Sequence, residues 1–397
     1  MPLPDRADGL KVLPVPLFEY ARRPQLPLSG GESRPDMLSL RLGERGETMS
    51  GGSGDVSRIP VPPRLGAVVD VAPVRGSDRP VWLTLSEDGT VSRWDVASGD
   101  HETLAATQVP EEDREEWGDW VLRRHLHASH DGMFAAVVND FGRYGEVVDL
   151  RTGDWTLELD NHGDNQGDNE DTVPFSLEFA QSRGRCVVIH RTGWNRLDVS
   201  DARTGALLTD RSIPAPEHDL DYFHGALYLS PDGKRILDDG WAWHPVGIPV
   251  VWDFDTWVEG NVWESEDGPS RLDVCDRGDA WNHGMTWIDS ARVAVVGISH
   301  DYDDVPSGVR ILDTSRSVRC EPRRPLAAEL LAFEGPAGRL FSDGTHLFSS
   351  GDTVLSIWDP AEGKLLGTVA DFSPTHYHPG ARQFLRLDDD VVRLWTV

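Results

Sequence analysis

A run of apolar, often β-branched residues that ends in a bulky residue plus Asp, followed by a turn, returns seven times along the chain, and this recurrence limits the fold more than any other feature. The clearest copies are TVSRWDVASG, with Trp94 and Asp95, and TVLSIWDPAEG, with Trp358 and Asp359. The others are GEVVDLRTG (Val148, Asp149), RLDVSDARTG (Ser200, Asp201), PVVWDFDTW (Trp252, Asp253), VRILDTSRS (Leu312, Asp313) and VVRLWTV (Trp395, Thr396). Taken at 94, 148, 200, 252, 312, 358 and 395, they are spaced by 54, 52, 52, 60, 46 and 37 residues. A four-stranded propeller blade takes roughly 40 to 50. Length alone, at 397 residues, would allow two or three domains; the repeat favours one large ring.

Each copy is preceded by a second strand and two turn signals. In the fourth, YFHGALYLS reads as strand a, Pro231-Asp232-Gly233 as a tight turn and KRILDD as strand b, and a loop through His244 leads to strand c. Asp131-Gly132, Asp343-Gly344 and Pro379-Gly380 mark the same a-to-b turn in the second, sixth and seventh copies, and Asp88-Gly89 the b-to-c turn of the first. These turns select residues that tolerate positive φ. The SPDG turn at Ser230 to Gly233 and the three Trp-Asp dipeptides resemble the blade signature of the WD-repeat family, over about residues 64 to 397. The resemblance implies an all-β, seven-bladed β-propeller. The Gly-His dipeptide that commonly opens a blade in that family is missing from all seven copies. The family's network of His, Ser or Thr, Asp and Trp is therefore expected to be incomplete.

The sequence stops directly after the strand-c pattern of the seventh copy, so an N-terminal strand is expected to close the last blade. The alternating MLSLRLG, residues 37 to 43, is the candidate. This divides the chain into a Pro-rich arm over 1–36, packed on its own domain through LPVPLFEY, and a propeller over 37–397. Trp94, Trp252, Trp358 and Trp395 are expected to pack between blades.

A formal charge of −29 repels phosphate backbones and argues against nucleic acid as a partner. The chain has only three lysines, Lys11, Lys234 and Lys364, and is rich in Gly, Asp and Pro, the pattern of a GC-rich bacterial genome. It shows no basic stretch followed by an apolar leader and no run of about 18 apolar residues, so a cytoplasmic protein without membrane contact is expected. Cys186, Cys275 and Cys320 have no CxxC spacing, which argues against a disulfide framework and a zinc site.

The chain holds no HExxH helix, GxSxG elbow or Gly-rich phosphate loop. What the topology does gather is a rim. In the WD-repeat pattern the d-to-a connections and b-to-c turns share one side of the ring, and three of these connections are long and acidic: 109–120, 160–172 and 259–284. The Asp-rich part of the second, DNHGDNQGDNED, departs from a calcium-loop spacing and reads as a solvated loop. Trp117, Trp120, Trp263 and Trp281, with Glu115 and Glu116, are the candidate partner-binding residues. Aromatics set among carboxylates hold cations by charge and cation–π attraction. The function expected is a non-catalytic scaffold, a monomeric propeller within a complex, whose acidic aromatic face binds a basic or cationic protein partner, with no cofactor. The alternative starts from the histidines placed on the same rim: His125, His224, His283 and His376 near starts of strand a, and His190, His244 and His300 near b-to-c turns. On that reading His224, His283, His300 and Asp301, with Asp303 or Asp304, serve a lyase or hydrolase as acid and base or as ligands of a divalent metal.

Overall fold

The Asp that ends six of the seven repeats acts on the chain that follows it. Asp95 Oδ1 accepts the amides of Ala97 at 2.9 Å and Ser98 at 3.1 Å. Asp201 does the same for Arg203 and Thr204, and Asp359 for Ala361 and Glu362. The chain then reverses through Gly99, Gly205 and Gly363, all at positive φ, whose amides donate to the carbonyl of that same Asp. The a-to-b turns reuse a second device. Ser230 Oγ bonds Asp232 Oδ1 at 2.7 Å and accepts the amide of Arg235 at 2.9 Å, and Ser129, Asp131 and Phe134 repeat it at 2.7 and 2.9 Å. Side chains thus supply the acceptors that a reversing backbone leaves short.

The computed structural model describes residues 55–112, 121–161, 172–212, 215–218, 220–243, 245–278, 280–298, 308–318 and 325–397. All lie in the second of two compact units, Thr48–Val397; the arm expected over 1–36 and the strand expected over 37–43 lie outside the described residues. Among the described residues the strands form six sheets, the largest of which joins two antiparallel runs through a parallel pair; taken in chain order the antiparallel runs are described as blades 1 to 7, with strands lettered a to d. Blade 1 is Val68–Pro73, Val81–Ser86, Thr90–Asp95 and His101–Ala106; blade 2 is Arg123–Ala128, Phe134–Asp140, Tyr144–Asp149 and Asp154–Asp160. Blade 3 has Leu177–Ser182, Arg185–Gly193 and Arg196–Asp201; blade 4 has Phe223–Leu229, Arg235–Ala242, Val250–Asp253 and the short Leu272–Asp273. Blade 5 is Met285–Trp287, Arg292–Val296, Val309–Val318 and Leu326–Phe333; blade 6 is Arg339–Ser342, Leu347–Ser350, Val354–Asp359 and Lys364–Ala370. Blade 7 is His376–His378, Gln383–Asp388 and Val391–Thr396.

The outer strand of blade 7 comes from the N-terminal side, as expected, but it is Ser57–Pro60, paired antiparallel with Val391–Leu394. This corrects the assignment to 37–43: a strand entering blade 1 at Val68 needs only the few residues after Pro60 to cross between blades. Two other blades depart from the regular pattern. Blade 3 has no fourth strand among the described residues, and its edge is covered by irregular chain. There Leu208 N donates to Val199 O (2.8 Å), Val199 N to Thr209 Oγ1 (2.9 Å) and Arg211 Nη2 to Leu197 O (2.9 Å). In blade 4 two short helices, Phe254–Glu259 and Glu264–Asp267, precede Leu272–Asp273, which also pairs in parallel with the outer strand of blade 5 at Leu326.

Seven apolar clusters seal the seven junctions between neighbouring blades. Trp82 and Trp94 of blade 1 pack with Leu385 and Leu394 of blade 7, which closes the ring. Trp252 of blade 4 packs toward blade 3, Trp358 of blade 6 toward blade 5 and Trp395 of blade 7 toward blade 6. The tryptophans near the ends of strand c therefore all fill the junction with the preceding blade, as their spacing in the repeat implies. The opposite face of the strand is buried too, so Val91 and Trp94 of one strand serve different junctions.

Candidate functional site

Strand pairing sets the start of each strand a beside the end of strand b: Arg123 faces Asp140, Leu177 faces His190 and Phe223 faces Trp241. The b-to-c turns follow at once, so they and the strand-a starts share one rim, here the upper rim. Strands a also neighbour one another around the channel, that of blade 1 touching those of blades 2 and 7.

Three blades meet there at Asp70. Its Oδ2 accepts the amide of Leu126 at 2.8 Å and lies 3.8 Å from His125 Nε2, both on blade 2. Its Oδ1 lies 3.4 Å from His376 Nε2 on blade 7. The other ring nitrogen of His125 is 2.8 Å from Asp140 Oδ2, and His376 Nδ1 is 2.8 Å from Thr375 Oγ1. Burial would raise the Asp70 carboxyl, but the charge of His125, the bond to His376 and the Leu126 amide outweigh it and hold Asp70 well below the usual carboxylate range. Asp140 is likewise held low against burial by His125 and Arg123. Burial works against a charged His125, yet Asp140 and Asp70 raise it above its ordinary value. His127, whose ring lies 4.4 Å from that of His125, is pushed down to about 3 by burial and by the neighbouring charge. The order Asp140, His125, Asp70, His376 alternates acid and base. Each nitrogen of His125 and His376 faces a group of the chain itself, an arrangement that joins blades.

Blades 3 and 4 build a different part of the rim. Phe223 stacks on Trp241 at 4.2 Å, Trp241 on Trp281 at 5.2 Å, and Trp194 leans on Phe223 at 4.8 Å. Trp243, 5.7 Å from Trp241, is 53% exposed. The ledge is braced from below. Asp239 binds Arg277 at 2.7 Å and the Asn282 amide at 3.0 Å, and Asn282 Nδ2 donates to Thr172 O at 2.7 Å. Burial pushes the Asp239 carboxyl up to about 6 despite Arg277.

The residues singled out from sequence are distributed as follows. His224 and Asp238 are a fully buried pair, Nδ1 to Oδ2 at 2.6 Å, inside blade 4. His283 is half-buried and held below its ordinary value by burial and then by Arg277. His300, Asp301, Asp303, Asp304 and His244 lie outside the described residues, as do Glu115, Glu116, Trp117 and Trp120. Trp263 begins the second helix, stacks on His218 at 4.2 Å and lies under the Arg211 guanidinium at 5.0 Å; Trp281 is in the ledge. Of the rim histidines, His125 and His376 are brought to one carboxylate. His190 is buried, with Nε2 2.9 Å from Ser200 Oγ. Asp70, His127, Arg123 and the ledge partners Trp194, Trp241 and Trp243 carried no sequence signal beyond the alternations His125-x-His127 and Trp241-x-Trp243. Among the described residues no group of three or more His, Cys, Asp or Glu side chains is placed to hold a metal ion, and no helix is long and apolar enough to cross a membrane.

Solved structures share this architecture. The β-propeller domain of Cps50 (Swd1) from Myceliophteria thermophila is similar over 86% of this chain and 99% of its own, with a TM-score of 0.51 and 13% identity. The fold is a WD-repeat-like β-propeller. A chain of the Mitotic Checkpoint Complex is similar over 92% of this chain and 99% of its own, with a TM-score of 0.51 and 15% identity. No protein-family model matches the sequence, and no curated protein matches it.

Proposed function

We propose that this propeller is a non-catalytic interaction scaffold whose acidic, aromatic upper rim docks a basic segment of a protein partner. The observation that carries the reading is the ledge of Trp241, Trp243 and Trp281, an aromatic surface open at Trp243 in a chain of charge −29. A Lys or Arg laid on such a ring contributes about 0.5 to 2 kcal/mol by cation–π attraction, and the chain's net charge of −29 favours a basic segment further. Glu115, Glu116, Trp117 and Trp120 fall in sequence between blades 1 and 2, a connection that the WD-repeat pattern puts on this rim; Trp263, expected in a d-to-a connection over 259–284, instead precedes strand d of blade 4 in a c-to-d connection, which that pattern puts on the opposite rim, so it is not part of the proposed face. One of the similar structures is a chain of the Mitotic Checkpoint Complex, which favours the reading by analogy of fold.

The test is binding of Lys/Arg-rich and Asp/Glu-rich peptides of equal length. The basic series is expected to bind more tightly, to weaken with salt, and to lose about tenfold on Trp243→Ala and further on Glu115→Lys with Glu116→Lys. Equal binding of both series, or basic binding untouched by all these changes, refutes the proposal.

A further inference from the structure

We propose that the ledge selects arginine: the docked basic segment lays a guanidinium flat on it at Trp243, in preference to a lysine ammonium. This rests on the docking reading above and names the residue type that the ledge takes. Trp243 is exposed, Trp194 and Trp281 are half-buried, and Phe223 and Trp241 are buried. The planes of Phe223 and Trp241 differ by 7°, those of Trp241 and Trp281 by 21°, and Trp243 tilts by 36° from Trp241. None of the ring pairs in the ledge approaches a right angle, so the rings form a shelf and not a box. A box of crossed rings encloses a round ammonium group. A shelf offers one flat face, which a planar and weakly hydrated guanidinium covers while its N–H edge stays free to bond. An ammonium on the same face sheds tightly held water for a single contact.

Two other features fit an arginine. Rings elsewhere already carry one: Tyr144, Phe134, Trp263, Trp287 and Tyr222 each lie under a guanidinium, 5.0 to 5.6 Å from the ring centre. Among the described residues no Lys or Arg takes that place over a ring of the ledge. The second feature is a set of unmet polar atoms. Asn282, next to Trp281, donates its Nδ2 to Thr172 O at 2.7 Å and its backbone amide to Asp239 at 3.0 Å, which fixes the side chain. Its Oδ1 is buried and accepts no hydrogen bond, and the indole N–H groups of Trp241 and Trp281 are buried and donate none. Such atoms are few in native folds, so each calls for a partner. An arginine residue brings both kinds, guanidinium donors for the Asn282 oxygen and main-chain carbonyls for the indoles. The charge of −29 attracts either cation, so the choice between them falls to the rings.

The experiment is calorimetric titration of the full chain with an Arg peptide, with a Lys peptide of the same length and charge, and with the Arg peptide rebuilt on citrulline, which is planar but uncharged. The Arg peptide is expected to bind about fivefold more tightly than the Lys peptide, and the citrulline peptide about tenfold more weakly than the Arg peptide. Trp243→Leu keeps apolar bulk at an exposed position and removes the π face, so it is expected to bring Arg and Lys within about twofold of each other, while Trp243→Phe keeps the preference. Equal binding of the Arg and Lys peptides, citrulline binding as tight as Arg, or an Arg preference that survives Trp243→Leu overturns the arginine assignment and leaves the docking reading in place. Failure of both cationic peptides to bind overturns both.

Discussion

Replacing Asp70 with Ala removes a carboxylate that blades 1, 2 and 7 share. Its loss strands the Leu126 amide, a term of about 1 to 3 kcal/mol when a buried donor goes unmet. It also leaves His125 and His376 without their common partner. Removing one side of a buried ion pair costs about 3 to 5 kcal/mol. Side-chain exposures of 29% for His125 and 21% for His376 argue for the lower end, about 3 kcal/mol in all. For a unit spanning Thr48–Val397, an unfolding entropy of about 2.1 cal/mol/K per residue comes to about 0.7 kcal/mol/K, so Tm is expected to fall by about 4 °C. The pH dependence is the stricter check. Asp70 has a lowered folded pKa, so its contribution is present above the ordinary carboxylate value and lost as pH falls through the folded one. His125 has a raised folded pKa, so its contribution is complete below about 6.5 and lost as pH rises through the folded value. The gap between parent and Asp70→Ala should therefore peak between about pH 5 and 6.5 and narrow on both sides. Calorimetry across pH 3 to 9 measures it; a gap under about 1 kcal/mol at its maximum, or one that ignores pH, refutes the shared-carboxylate argument.

Other perturbations probe the repeat and its core. His224→Ala leaves the fully buried Asp238 carboxyl without its side-chain partner, and a loss of about 1 to 3 kcal/mol is expected in denaturant titration. Ser349→Ala removes the acceptor of the Trp358 indole N–H, now 2.9 Å away, at about 1 to 3 kcal/mol; Ser230→Ala, which unties a more exposed turn, should cost about 1 kcal/mol by the same measurement. Gly225→Ala would set a Cβ 1.9 Å from the Asp239 carbonyl oxygen, a backbone atom that cannot swing away, so a poorly folded product is expected by near-UV circular dichroism.

The repeat itself was legible because it rests on local rules. Asp after a bulky residue caps the c-to-d turn, Ser-x-Asp-Gly makes the a-to-b turn, and apolar residues on both faces of strand c demand a blade on either side. Those rules involve residues a few positions apart, and their recurrence pointed to a propeller and placed Trp94, Trp252, Trp358 and Trp395 at the junctions. Closure of the ring was legible as a need, while the strand that meets it, Ser57–Pro60, was not: pairing with Val391–Leu394 spans almost the whole chain, and any short alternating segment upstream could have served. The site was the least legible part. Asp70, Arg123, His125, Asp140 and His376 come from blades 1, 2 and 7, and each looks ordinary in its own strand. His224, with the same sequence signal as His125, is fully buried against Asp238 within blade 4, a difference that nothing local in the sequence marks. Local sequence determines which residues can form a blade; which charges face each other across the channel depends on the ring that brings distant strands together.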